Sequence, residues 1–268
     1  FLADGLGLVG FFLTTHFAAR RLSTLSDHPG LELGRQAFQT LCSGITMVLS
    51  DQQVNILKQG SLEEIKHLVS MFPNLPQEHS EPSLDLPIHI VLEERRSLEI
   101  ILFLFDAFIA CIRVPNVYGQ LPLHKAVSWP VGSANRDLVN LLIMSDPSTI
   151  AIKDWTHHGY NALHVALFHG CGREIIQLLV SACPEACQIP TAIGTHLPLH
   201  VCVFVSAPLE IFQLLIRAYP EALDSPDDRG FKPVHLCILM DKFPAKGLYD
   251  LLGGDDRAMA WPWVPSET

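Results

Sequence analysis

Charge is what this chain has least of. Asp, Glu, Lys and Arg make up 17% of its 268 residues, against about 25% in ordinary soluble domains. With 49% apolar residues, that shortfall excludes disorder as the main state. Basic residues are scarcer still. Eighteen Lys plus Arg against 28 Asp plus Glu give a net charge of −10, which repels a phosphate backbone and speaks against a nucleic-acid partner. Seven cysteines, an odd number with no closely spaced framework, do not make a disulfide scaffold, and reduced thiols in an intracellular, cytoplasmic setting are the expectation. A long apolar run suited to crossing a bilayer is also missing. Residues 1–19 are mostly apolar but contain Asp4 and His16, so a span is not expected, and membrane contact through them belongs only to the alternative reading as a subunit of a membrane-associated assembly. The run Ile100 to Cys111 is more hydrophobic and too short to cross, so burial between helices is expected. The chain begins at Phe1 and not at Met, and reads as a processed product or a piece of a longer polypeptide.

What the sequence does contain is a returning phrase: LPIH at 86–89, LPLH at 121–124, NALH at 161–164, LPLH at 197–200 and KPVH at 232–235. From His89 through His124, His164 and His200 to His235 the steps are 35, 40, 36 and 35 residues. A second phrase starts eight residues after the His in three copies, at Ser97, Gly172 and Pro208. The copy from Arg136 is delayed by three extra residues within 127–135, and an earlier copy, SLEEIKHLVSMFP, starts at Ser61.

Pro at the second place of the phrase suits the first turn of a helix, where its missing N–H would have had no partner. Leu123, Ala126 and Val127, with Leu163, Ala166, Leu167 and Leu199, Cys202, Val203, share one face at helical spacing. The second phrase sets Ile211, Leu214 and Leu215 on one stripe, which predicts a second helix packed on the first. Neither helix can bury its stripe alone, so the units must stack.

The phrases resemble the TPLHxA hallmark of the ankyrin-repeat family. All five keep His and four keep Pro, and Gly119, Gly159 and Gly230 stand five residues before the His. The tetratricopeptide array, a helical competitor, lacks this phrase. The resemblance implies an all-α, ankyrin-like α-solenoid of stacked helix-turn-helix repeats with short finger loops. The repeat array spans 48–252, in units of about 48–83, 84–118, 119–158, 159–194, 195–229 and 230–252. Residues 1–47 form an N-terminal helical cap or degenerate repeat, and 253–268 a C-terminal tail. Departures are also visible. The capping Thr is replaced by Leu86, Leu121, Leu197 and Lys232, leaving Asn161 as the one good cap. The surplus over the family's usual period of about 33 predicts a longer second helix or outer loop, and the extra residue within 189–196 puts that finger's regularity in question.

Catalytic and metal motifs are weak. Gly5, Gly7 and Gly10 spell GxGxxG without the strand and βαβ context a dinucleotide needs. His169, Cys171, Cys183, Cys187, His196, His200 and Cys202 crowd together, but several occupy repeat slots and no CxxC spacing occurs, so no metal is expected. With no nucleophile elbow, the expectation is no enzyme, no cofactor and no small-molecule substrate.

By the same resemblance, partners meet the finger tips and the inner face of the first helices. Positions four and five after the His supply Ser128 and Trp129, Phe168 and His169, Phe204 and Val205, Leu239 and Met240. Trp155 and His157 lie on a finger expected to be exposed. A mostly apolar row in such places marks an interaction site. The expected function is a protein-protein interaction scaffold. The alternative is a structural subunit of a large or membrane-associated assembly.

Overall fold

A computed structural model describes residues 48–129, 136–156 and 158–240. The GxGxxG stretch, His157 and the C-terminal tail therefore lie outside the described residues. The chain divides into two compact units, Phe1–Pro122 and Leu123–Thr268. Its described residues form eleven α-helices joined by turns and 3-10 segments, with one isolated β-bridge and no named strand. No helix among them is long and apolar enough to cross a membrane.

The first unit contains α1 (Asp51–Gln59), α2 (Leu62–Met71), α3 (Pro87–Glu93) and α4 (Leu98–Ala107). Ser50 and Ser61 start α1 and α2 with reciprocal capping boxes closed by Gln53 and Glu64. The apolar run from Ile100 buries Ile100, Ile101, Leu104 and Phe105 along α4, which packs on α2 and α3. The second unit contains α5 (Pro122–Val127, its first residue on the boundary), α6 (Arg136–Ser145), α7 (Ala162–Phe168), α8 (Arg173–Ala182), α9 (Pro198–Phe204), α10 (Leu209–Ala218) and α11 (Pro233–Leu239). The short first helices α7, α9 and α11 pack in succession, as do the longer second helices α6, α8 and α10.

Three of the first helices end in the same way. In α3, α7 and α9 the chain turns through a left-handed residue at Arg95 (φ 53°), Gly170 (φ 67°) and Ser206 (φ 55°). The N–H groups of Arg95, Gly170 and Ser206 then bond Leu92, Leu167 and Val203, and the next residues bond Val91, Ala166 and Cys202. This paired closure is a Schellman motif, which satisfies the carbonyls a seven-residue helix would leave open. The second helices stop at Phe108, Cys183 and Tyr219, and 3-10 segments follow at Ile109–Arg113, Pro184–Gln188 and Pro220–Leu223. The surplus residues of the repeat therefore form an outer 3-10 turn, and the second helices stay at ten residues. One expected core position is corrected: Phe212, fully buried, joins Ile211 and Leu215 in the α10 stripe, while Leu214 is only half-buried.

Candidate partner-binding face

The repeat histidine shows how the face is built. His89, His164, His200 and His235 each accept, through Nδ1, the backbone N–H three residues earlier, on Leu86, Asn161, Leu197 and Lys232. The missing Thr is thus partly replaced, because the histidine satisfies one of the N–H groups exposed at the helix start. Asn161 adds the conventional cap, its Oδ1 accepting from His164 N–H at 2.9 Å. An accepting Nδ1 places the ring proton on Nε2, which donates to a carbonyl of the next repeat: His164 to His196 at 3.2 Å and His200 to Phe231 at 3.3 Å. His124 reaches the carbonyl of Ile152 at 3.1 Å. Burial lowers the pKa of His124 and His200 to about 4 and that of His164 to about 3, so these rings are neutral structural groups at neutral pH.

The carbonyls they meet also close the turns. Asp154 N–H bonds Tyr160, Thr191 bonds His196, and Asp227 bonds Phe231. In the first unit Ser80 bonds Asp85 and Asn116 bonds Gln120. A left-handed residue lies five before each His: Leu84, Gly119, Gly159, Thr195 and Gly230. Thr195 does this without glycine, so the finger holding the extra residue still closes regularly. Buried side chains brace the turns. Asp154 accepts from the backbone of Thr156 and Tyr160, and Asp227 from that of Arg229 and Phe231. Successive turns are joined by Ala192 N–H to the His158 carbonyl and Asp228 N–H to the Gly194 carbonyl.

On this framework a row of rings reaches the surface. Tyr160 stacks between His158 and His164, with centroid distances of 5.1 and 5.7 Å, and lies 6.1 Å from Phe168. His196 meets Phe204 edge-on at 4.9 Å. Phe168 is 57% exposed and Leu239 54%, with Phe204 and Ile238 also exposed. Burial lowers the pKa of His169 and of His196, in the latter against the pull of Asp227 and Asp228.

No protein-family model matches the chain, and no curated protein does either. Solved structures do. One chain of the structure of the predatory endopeptidase Bd0816 from Bdellovibrio bacteriovorus in complex with the immunity protein Bd3460 superposes with a TM-score of 0.62 at 17% identity, over 75% of this chain and 98% of that one. The crystal structure of EF0377, an ankyrin repeat protein, superposes with a TM-score of 0.58 at 17% identity, over 75% of this chain and 95% of that one. The fold is that of an ankyrin-repeat array.

Within this ankyrin fold the expected site residues separate. Phe168, Phe204 and Leu239 are exposed on the ends of α7, α9 and α11, and His169, Val205 and Met240 beside them are half-buried. Trp129 is a correction: it is only 8% exposed. Helix α5 ends one residue sooner relative to its His than the other first helices, so Ser128 and Trp129 already belong to the turn. Trp155, expected to be exposed, is half-buried. The crowded cysteines do not converge on an open site: Cys171, Cys183, Cys187 and Cys202 are buried free thiols, and Cys171 Sγ donates to the Val127 carbonyl. Sequence reasoning passed over the residue four before each His, where Tyr160 and His196 enter the ring row. The 35- to 40-residue register carried that signal.

Proposed function

We propose that this ankyrin-fold chain is a non-enzymatic protein-binding module, and that the face carrying Tyr160, Phe168, His196, Phe204 and Leu239 holds a partner protein or peptide. The observation that carries this reading is the exposure of Phe168, Phe204, Ile238 and Leu239 on helices whose other faces are fully used in packing. Covering an exposed Phe or Leu is worth about 1.5–3 kcal/mol each, and aromatic side chains are favoured interface anchors. The register supports it further. Four residues before and after the His stand Asp85 and Glu93, then Gln120 and Ser128, then Tyr160 and Phe168, His196 and Phe204, Phe231 and Leu239. The residue pairs thus pass from charged to aromatic along the chain, which suits a partner held mainly by the later repeats. A neighbouring fold captured in a two-protein complex is in keeping with such a role.

The test is affinity capture from the native source, followed by calorimetry with the recovered partner, using the wild-type chain and a Phe168→Asp, Phe204→Asp variant. Both positions are exposed, so the circular dichroism spectrum stays unchanged while partner binding is lost. Equal binding by a folded variant refutes the assignment of the face.

A further inference from the structure

Two consecutive turns bring His196, a member of the ring row, together with two carboxylates: Asp227, whose Oδ1 alone braces its turn, and Asp228, which the repeat does not use. We propose that His196, Asp227 and Asp228 bind one divalent first-row transition-metal ion, with water completing its coordination. One ligand atom from each of the three residues lies within 4.8 Å of the others. His196 Nε2 and Asp227 Oδ2 are 3.6 Å apart, close to the roughly 3.4 Å that separates two ligands of a tetrahedral ion with bonds of about 2.0–2.1 Å. The remaining closure, up to about 1.4 Å, falls to the exposed side chain of Asp228.

The two closer ligands are held in place. Asp227 has a side chain only 2% exposed; its Oδ1 takes the N–H groups of Arg229 and Phe231, which leaves Oδ2 directed at His196. At 3.6 Å that approach is too long for a hydrogen bond. Among the described residues neither ring nitrogen of His196 makes one. Its ring is fixed by the edge contact with Phe204 and lies over Gly194, where a Cβ would collide with it. The Asp228 N–H to Gly194 carbonyl bond, 3.2 Å, sets the spacing of the two turns. A half-buried imidazole and a nearly buried carboxylate oxygen therefore face one point without a hydrogen bond between them, and an exposed carboxylate is within reach. One imidazole and two carboxylates suit Zn²⁺, Mn²⁺ or Fe²⁺ better than the thiolate-loving ions.

The full chain, stripped with chelator and kept reduced, is titrated with Zn²⁺ by calorimetry and with Co²⁺ by absorption, beside Asp228→Asn and His196→Gln. One equivalent is expected to bind, with at least roughly tenfold weaker binding in each variant and a Co²⁺ spectrum lacking a thiolate charge-transfer band. No binding by about 100 µM Zn²⁺, affinity unchanged in Asp228→Asn, or a thiolate band overturns the site. Asp228→Asn keeps the backbone N–H to Gly194 and alters only an exposed side chain, so it decides the matter if His196→Gln fails to fold.

Discussion

Acidification should unfold the second unit well before carboxylate protonation alone would, because three of its buried histidines must stay neutral. In the folded chain His124 and His200 titrate near 4 and His164 near 3, against an ordinary value of 6.5, with desolvation the leading cause in each. The Nδ1 of His164 and of His200 accepts a backbone N–H and so requires the neutral ring, and Lys153 and His196 add positive charge near His164; the Nε2 bonds to carbonyls pull the other way without offsetting burial. A folded pKa below the unfolded one means that the unfolded chain binds more protons between the two values. Stability is therefore complete above about pH 6.5 and falls as the pH drops toward 4. Treated as independent, each ring costs about 2 kcal/mol by pH 5, or about 6 kcal/mol for the three. That is a large share of the 5–15 kcal/mol typical of a domain. The carboxyl of Asp154, raised by burial, acts in the opposite sense and offsets part of the loss where the two overlap. Urea unfolding followed by circular dichroism at pH 7.5, 6.5 and 5.5 should show about 4 kcal/mol lost by pH 5.5, and long-range ¹H–¹⁵N spectra should find the proton on Nε2. A loss below about 1 kcal/mol, or stability that rises on acidification, would refute the buried neutral bridge.

Two further outcomes follow from the same contacts. Asn161→Ala removes the acceptor of His164 N–H and the donor to the Ala186 carbonyl, both in a buried setting, and should cost about 2–3 kcal/mol in denaturant unfolding. Burial pushes the thiols of Cys111, Cys187, Cys202 and Cys237 up to about 12, so alkylation tracked by mass spectrometry should spare them in the native chain and reach them only in denaturant; rapid native labelling of Cys202 would contradict its place in the first-helix core.

The stacking of the repeat was legible because Pro and His recur at fixed places and the apolar residues around them keep one helical face. Leu123, Leu163 and Leu199, with Ala126, Ala166 and Cys202, are buried as their spacing requires. The ends of the helices were less legible. Whether surplus residues lengthen a helix or form a turn depends on the non-helical backbone at Phe108, Cys183 and Tyr219, which hydrophobic periodicity does not record. Trp129 was misplaced for a related reason: a one-residue change in where α5 ends sends its side chain inward. Of the candidate face, Phe168, Phe204 and Leu239 could be read from the register. The pairing of His196 with Asp227 and Asp228 could not, since it joins residues 31 and 32 positions apart through a contact between neighbouring turns.

The histidine bonds from one repeat to the next end on main-chain oxygen. His164 and His200 bond to the carbonyls of His196 and Phe231, and a carbonyl is present whatever side chain that residue carries. Asp85, Gln120, Tyr160, His196 and Phe231 all occupy the corresponding place. Recognition can therefore be rewritten at positions such as Tyr160 and Phe231 while the histidine bonds between repeats are left standing, so that a new specificity need not be a new fold.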